Sequence, residues 1–344
     1  MTDRVTIPGA PELAGIVYRR PRLPDDYADV TEVFNVTARV DGQSHRITVA
    51  EAQHWYEHAS GWNPAVDEVL VEQDGRVVGF ADVRYAPDTD GTQVYSLIGA
   101  LHPDVRRRRI GTALLAHNIA RAGERARTEV PAGQPVILHA WAADTAPGSI
   151  ALLEGAGFGV ARYFFEMVRP TLDDIPELPL PAGLEVRDVV PADHRSIFDG
   201  DAEAFQDHWG GIDTSDAAFE RFFSGPHFRP ELWRVAWDGD EVAGVVMTVE
   251  LSAYNEEHGA RRVIIDGVSV RRPWRRRGLA RALVADALRG ARDAGFTSAT
   301  LGVDAANPSG ALGVYEAVGF AVERRSRAYR RPLERGPTPV AESG

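Results

Sequence analysis

The stretch with the most chemical content is Val268-Ser-Val-Arg-Arg-Pro-Trp-Arg-Arg-Arg-Gly-Leu-Ala-Arg-Ala-Leu-Val284. Alternating apolar residues lead into a turn of arginines, and a helical pattern leads out of it. The turn holds Arg275, Arg276, Arg277, Gly278 and Ala280. That combination suits the holding of phosphates. The first N–H groups of a helix have no intrahelical partners, and the helix dipole favours an anion there. Gly278 and Ala280 leave the backbone open to close approach. Guanidinium groups add charge-assisted hydrogen bonds that match a pyrophosphate. Taken by itself, the turn also fits a solvated basic loop or a patch for nucleic acid.

The chain around it narrows the choice. Its 344 residues suggest two domains, and a net charge of -12 argues against a general nucleic-acid binder. An anionic ligand must then be met locally, at the arginine clusters. Cysteine is absent, which excludes disulfides, Cys-ligated metals and a thiol nucleophile. Lysine is absent too, which removes Schiff-base chemistry. The histidines are scattered without ligand spacing, so no metal is expected. No apolar run reaches membrane-spanning length, and Met-Thr-Asp-Arg-Val lacks the apolar core of a signal peptide. No membrane partner is expected, and the expected compartment is the cytoplasm.

The elements that would position the arginine turn occur twice. In the first half, 16–18 reads as a strand, 25–36 as a helix and 48–58 as a second helix. Thr48 caps that second helix, and Glu51 closes a capping box. Strands over 68–72 and 77–85 flank the turn Asp74-Gly75, and another strand covers 93–101. A helix over 111–127, a strand over 136–141, a short helix to 155 and a strand over 160–168 follow. Residues 170–183, rich in proline, read as a linker. The order then repeats: strand 184–187, helices 192–205 and 216–223, and strands 232–237 and 242–251. After these come strand 262–270, helix 279–294, strand 299–303, helix 309–318 and strand 322–330. The expected domains are 1–169 and 184–333, with a disordered tail over 334–344. Three residue patterns recur in the same order. Asp74-Gly75…Val77-Val-Gly79 answers Asp238-Gly239…Val242-Ala-Gly244. Leu101…Arg106-Arg-Arg-Arg-Ile-Gly…Leu114 answers Val270…Arg275-Arg-Arg-Gly-Leu-Ala…Leu283. Leu152-Leu-Glu-Gly-Ala-Gly-Phe158 answers Val314-Tyr-Glu-Ala-Val-Gly-Phe320.

The pattern Arg275-x-x-Gly278-x-Ala280, preceded by Val268-Ser-Val270, resembles the acetyl-CoA loop of the GNAT superfamily of N-acetyltransferases. With the repeat, the chain resembles a tandem pair of GNAT units over 16–168 and 184–331. The resemblance implies a mixed α/β fold in which each unit has a central, mostly antiparallel twisted sheet flanked by helices. It implies acetyl-CoA as cofactor. Val268, Ser269 and Val270 would run beside the pantetheine arm. Arg275, Arg276, Arg277, Gly278, Leu279, Ala280 and Arg281 would meet the pyrophosphate, and Asn307 would hydrogen-bond the pantetheine.

The halves differ where this matters. With Leu101 on Val270, Arg109 falls where Gly278 stands, and its side chain would crowd the phosphate position. A shifted reading, Arg108-x-x-Gly111-x-Ala113, restores the pattern but spoils the match of the strand before it. Leu153 stands against Tyr315, Thr145 against Asn307 and Leu97 against Asp266. The expectation is a catalytic second unit, and a first unit kept for structure, substrate contacts or weak CoA binding.

Acetyl transfer to an amine needs a base for the ammonium proton and an acid for the leaving thiolate. Tyr315 lies where the family resemblance places the general acid. Asp266 is the first choice of base, because period-two alternation puts it on the face of Val268 and Val270. Glu250, at the end of the preceding strand, is the second choice. The Glu that some family members carry before the Asn is replaced here by Gly302. Asp207, His208 and Trp209, with Glu250 and the loop Asn255–His258, are expected at the acceptor side. The acceptor implied is a primary amine of a small molecule, acetylated directly in a ternary complex by a monomer or homodimer. Two other readings remain open: an N-terminal peptide amine as acceptor, and a non-catalytic acetyl-CoA sensor or scaffold.

Overall fold

Short alternating strands joined by tight turns supply the sheet strands of each of two compact units. The computed structural model describes residues 3–307 and 310–334. In chain order the first elements are β1 (Ile16–Arg19), α1 (Tyr27–Val40), α2 (Val49–Glu57), α3 (Pro64–Asp67), β2 (Glu68–Gln73) and β3 (Arg76–Tyr85). They are followed by β4 (Gln93–Leu101), α4 (Ile110–Glu129), β5 (Val136–Ala143), α5 (Pro147–Gly155) and β6 (Gly159–Arg169). The second run is β7 (Glu185–Arg187), α6 (His194–Phe205), α7 (Asp216–Ser224), β8 (Arg234–Asp238), β9 (Glu241–Glu250) and α8 (Ser252–His258). It ends with β10 (Arg262–Val270), α9 (Leu279–Asp293), β11 (Ser298–Asp304), α10 (Ala311–Glu316) and β12 (Ala321–Pro332). The expected helix over 309–318 is present as α10, with position 309 outside the described residues, as is the tail from 335 onward. One difference lies at 255–258, expected as a hairpin loop, which is the last turn of α8.

The units are not the two contiguous stretches that the repeat suggested. Among the described residues, unit 1 holds 3–44, 55–161 and 327–334, and unit 2 holds 45–54 and the described part of 162–326. In unit 1 the strand order is β1-β2-β3-β4-β5, and the C-terminal end of β12 lies next to β5. In unit 2 the order is β7-β8-β9-β10-β11, with β6 paired antiparallel to β11 from Ala299↔Arg169 to Asp304↔Phe164. Each half of the sequence thus ends on a strand that completes the other unit.

One arginine in each exchanged strand explains the anchoring. Arg169, buried at the end of β6, donates from Nη1 to the Val318 carbonyl (2.6 Å) and from Nη2 to the Asp174 carbonyl (2.7 Å). Arg331 in β12 donates to the Ala156 carbonyl (2.6 Å) in the equivalent turn of unit 1. Gly319, at φ 88°, lies so close to Arg169 that a Cβ would collide with the guanidinium. The proline-rich stretch after β6 is no solvated spacer: Leu172 is buried in the unit 2 core, and Ile175, Leu178 and Leu180 pack against it.

Most neighbouring strands are antiparallel, as expected. The exceptions are β4 with β5 and β10 with β11, each parallel for only four residues (Gln93–Ser96 with Val136–His139, and Arg262–Ile265 with Ser298–Leu301). Beyond Ile265 the edge of β10 that faced β11 carries no strand partner among the described residues. In unit 2, α9 buries Leu279, Leu283, Val284 and Leu288 against Val246, Val263, Ile265 and Leu301 of the sheet. This packing fixes where the N-terminus of α9 points.

Candidate active site

The arginine turn of unit 2 divides its labour. Arg275 donates from Nε to the Val270 carbonyl (2.8 Å), from Nη1 to Asp207 (2.6 Å) and from Nη2 to the Ala204 carbonyl (3.0 Å). Arg272 forks onto both oxygens of Asp207 at 3.0 and 2.5 Å. The hydrogen bonds from Arg272 and Arg275 hold the Asp207 carboxyl well below the usual carboxylate range. Arg271 reaches Glu203 (2.8 Å) and the Val242 carbonyl (3.0 Å). These three arginines lock the turn in place. Asp207 was expected on the acceptor side and Arg275 at the pyrophosphate; here they are tied to one another inside the turn.

Arg276, Arg277 and Arg281 are exposed, and none forms an ion pair among the described residues. Arg276 and Gly278 both sit in the left-handed region, at φ 60° and 85°. Gly278 caps α9 without any side-chain cap, and a Cβ on it would meet nothing within 4 Å. Bare amides at Leu279 and Ala280, free guanidinium groups and open space over Gly278 fit the diphosphate of a nucleotide. The unpartnered edge from Asp266 to Val270 fits an extended amide-bearing arm, which can hydrogen-bond to a sheet edge as another strand would. Val268 and Val270 are half-buried along this edge, whereas the Ser269 side chain is buried on the opposite face. Asn307 follows the end of β11 and closes a turn by donating its N–H to the Asp304 carbonyl (3.1 Å).

Asp266 occupies a β-bulge. Ile265 pairs with Thr248 and Gly267 with Met247, so Asp266 has no opposite residue on β9. A bulge re-aims side chains and bends its strand. Burial alternates through it, and Asp266 stays on the face of Val268 and Val270. The Asp266 side chain is exposed to solvent along this edge, with protein atoms crowded around its base. Burial pushes the carboxyl upward, while His45 and His227 draw it back down. Tyr315, on α10, is 8% exposed and stands edge-on to Phe320, with ring centroids 6.3 Å apart. Burial pushes its phenol up to about 12, so it stays protonated at neutral pH.

The remaining expected residues are dispersed. Trp209 lies over the C-terminal end of β11, 5.8 Å from Phe164 between ring centroids and 5.1 Å from the Arg162 guanidinium, which also binds Asp304. The Nδ1 of His208 is 2.8 Å from the Trp209 carbonyl. Glu250 is paired with Arg229 at 2.8 Å. Sequence reasoning missed the groups whose charge Asp266 feels, His45 and His227, with Glu51 paired to His227; it also missed Asp201 on α6, which feels the charge of Asp266. Asp201 lies against the Ser269 hydroxyl and is pushed up to about 6 by burial. The capping box of Thr48 and Glu51 was legible, but nothing in the linear chain relates 51 to 227 or 266. Among the described residues no group of three His, Asp or Glu could hold a metal, and no helix is long and apolar enough to cross a membrane.

In unit 1 the equivalent turn keeps the same backbone. Arg107 and Arg109 take φ of 62° and 64°, and Arg106 donates to the Leu101 carbonyl (2.9 Å) and to Asp41 (2.6 Å). Arg109 therefore stands where Gly278 does. The shifted reading fails, because Gly111 is the second residue of α4.

Comparison with known proteins agrees with this geometry. The acetyltransferase (GNAT) family matches twice, over 30–158 and 195–320. A mycothiol acetyltransferase of Nocardiopsis dassonvillei is 31% identical over 298 residues, covering 78% of this chain and 83% of the relative. One from Salinispora arenicola is 29% identical and covers 89% and 93%. A GCN5-related N-acetyltransferase from Sphaerobacter thermophilus superposes with a TM-score of 0.70 at 26% identity, covering 95% and 98%. A tandem GNAT protein from the clavulanic acid biosynthesis pathway shares the fold at 16% identity, with a TM-score of 0.66 and coverage of 94% and 98%.

Proposed function

The chain belongs to the acetyltransferase (GNAT) family as a tandem, acetyl-CoA-dependent N-acetyltransferase, and we propose that unit 2 alone carries the reaction, on a primary amine of a small molecule. The observation that carries this reading is the joint presence of Asp266 and Tyr315 in unit 2, against Leu97 and Leu153 in unit 1. Acetyl-CoA supplies a thioester-activated acetyl group, with a thiol as leaving group. The amides of Leu279 and Ala280 and the side chains of Arg276, Arg277 and Arg281 hold its diphosphate. The β10 edge and Asn307 hold its arm.

Asp266 takes the proton that the acceptor ammonium must lose before its lone pair can attack. A carboxylate in this setting is a better base than one in water, because burial lifts its proton affinity. Tyr315 gives its proton to the departing sulfur, and the second proton that the attacking nitrogen sheds on becoming an amide restores the phenol. Free thiols titrate at about 8.5, below the raised Tyr315 phenol, so the transfer runs against the order of acidities and relies on the loss of the thiol as it forms. No cysteine is available to carry the acetyl group, which favours direct transfer in a ternary complex. The relatives named for mycothiol make an amine of that type the first acceptor to try.

The test is thiol release by the full chain over a panel of amines, with acetyl-CoA affinity measured in parallel. Amine-dependent release is expected. Tight binding of acetyl-CoA with no release from any amine, peptide N-termini included, would turn the protein into a sensor.

A further inference from the structure

Glycine inside a strand weakens it, and it often marks a place where another group comes close. Gly302 sits inside β11, and neither backbone nor packing calls for a glycine there. Its φ is not positive, and a Cβ would meet nothing within 4 Å among the described residues. Ser298, Thr300 and Asp304, on the same face by period two, are buried, whereas Gly302 is exposed. The glycine therefore floors a local recess. That recess is at the level of the chemistry: Leu301 pairs with Ile265, so Gly302 follows on β11 as Asp266 follows on β10. Glu166, on the exchanged strand β6, stands directly opposite Gly302 and shares its face. Its carboxylate accepts from Arg324 Nη1 at 3.0 Å. Two residues along the same face, Phe164 stands opposite Asp304. Trp209 leans on Phe164 at 5.8 Å between centroids, and Arg162 links Asp304 to the Trp209 ring. In unit 1 the same position is filled. The turn that Ala146 closes on Ala143 matches the one that Asn307 closes on Asp304, which sets Trp141 where Gly302 stands. The Trp141 ring is 47% exposed and lies 5.3 Å from His139 between centroids.

We propose that Gly302 makes room for the body of the acceptor beyond its amine, and that Glu166 and Trp209 select that body. Unit 2 then prefers a primary amine carried on a bulky, polar, uncharged body to a small alkylamine. This rests on the reading of unit 2 as the acetylating unit. The walls set the class of ligand. Glu166 and Asp304 are each paired with an arginine already. They offer a ligand hydrogen bonds in both directions, while a further full charge would meet no counter-ion of its own. Trp209 adds a flat apolar wall against which a ring can pack. An amine without such a body leaves the recess to water and draws no binding from it. Through Glu166, the first half of the sequence takes part in choosing the substrate of the second.

The test sets ethanolamine against glucosamine, a small and a bulky primary amine, with the full chain and with Gly302→Ala, Gly302→Trp and Glu166→Gln. Both kcat/KM and the binding of each amine to the CoA-loaded chain are measured. The parent should favour glucosamine by about tenfold or more. Gly302→Trp, which copies unit 1, should cost glucosamine about thirtyfold and ethanolamine less than about threefold. Glu166→Gln should cost glucosamine about five- to tenfold and leave ethanolamine unchanged. Gly302→Ala, which adds one methyl group to open space, should alter neither by more than about twofold. Unchanged acetyl-CoA affinity in each variant reports an intact fold. Equal losses for both amines in Gly302→Trp, at unchanged acetyl-CoA affinity, overturn the recess, as does a parent chain that treats the two amines alike. Preferential binding of glucosamine without acetylation would overturn the enzymatic reading and keep the recess.

Discussion

The two units share a backbone plan and differ in what stands on it. Both hairpins carry a register shift near the tight turn, between Val71 and Glu72 in one and between Ala236 and Trp237 in the other. Both arginine turns are held by one arginine bonded to the preceding strand end and to an aspartate, Arg106 with Asp41 and Arg275 with Asp207. Both turns before the exchanged strands close alike, Phe158 N–H on the Leu153 carbonyl and Phe320 N–H on the Tyr315 carbonyl, each at 3.1 Å. The strand above is different. β4 pairs with β3 without interruption through Leu97, which is buried, whereas β10 bulges at Asp266 and exposes it. After the next strand, the turn bond that Asn307 makes to Asp304 is made by Ala146 to Ala143, so Ala146 rather than Thr145 occupies the place of Asn307. On the proposed reading, unit 1 keeps the scaffold without the side chains assigned to the chemistry. The lesson is that fold and site are separable here at the level of single positions.

The sharpest way to break this comparison is to remove the bulge carboxylate. Asp266→Asn should lower kcat by about a hundredfold or more, the range of general-base contributions, with acetyl-CoA affinity retained. Residual activity near the parent level would mean that unit 1, or another group in unit 2, supplies the base. Tyr315→Phe keeps the ring that packs on Phe320 and deletes only the proton donor. A loss in kcat of about ten- to a hundredfold is expected, smaller with thioesters whose thiol is more acidic. A loss independent of the leaving thiol would point to a packing role.

The arginine turn offers an exchange in both directions. Gly278→Arg reproduces the arrangement of unit 1, whose Arg109 shows that an arginine can adopt this φ without disrupting the turn. Folding should survive, with a cost of about 1 kcal/mol from the left-handed backbone. Acetyl-CoA affinity should fall about tenfold, because a side chain then stands over the amides. The reverse change, Arg109→Gly, should stabilise unit 1 slightly. Calorimetric titration of both variants would show whether the glycine by itself decides which turn grips the nucleotide. Equal affinity in Gly278→Arg would remove these amides from the binding account.

Much of this was legible in the sequence, for identifiable reasons. Strand alternation, the Asp74-Gly75 turn and the Thr48–Glu51 box are local patterns, and local patterns survive folding. Asp74 and Gly75 both take positive φ, as a tight hairpin turn requires. Gly278 was singled out by the Arg275-x-x-Gly278-x-Ala280 pattern and Tyr315 by its place in the family resemblance, and the repeat set both against unlike residues in the first half. The strand exchange was not legible. β6 and β12 suit either sheet, and which one each joins depends on contacts such as Arg169 with Val318, 149 positions apart. The bulge was hidden too, since burial alternates straight through Asp266. The bracing roles of Asp207 and Arg275 were hidden for a related reason: charged residues in a basic turn read as ligand contacts, whereas here the two are paired 68 positions apart.

A smaller effect tests whether unit 1 still bears constraints of its own. Counting from Gly79 and Gly244, unit 1 sets Glu68 opposite Asp82 where unit 2 has Trp233 and Met247 in its core. Glu68 is almost wholly buried; Tyr56 donates to its Oε1 (2.7 Å), and its Oε2 has no partner among the described residues. Asp82 is braced by Arg84 at 2.8 Å, and that guanidinium stacks over Trp62 at 4.4 Å. Burial first, then the Asp82 charge, raises the Glu68 carboxyl above its unfolded value. The sign follows: its contribution to stability is complete at pH below the unfolded value and is lost as pH climbs through the folded one. Glu68→Gln keeps an acceptor for Tyr56 and removes the charge. It should therefore raise Tm by about 2–4 °C at pH 8, the shift expected for roughly 1 kcal/mol, and change little at pH 5. Thermal unfolding at the two pH values reads the difference. A shift of equal size at both would mean that the carboxyl is not strained by its burial, and that the polar pair in unit 1 is as well accommodated as the apolar pair in unit 2.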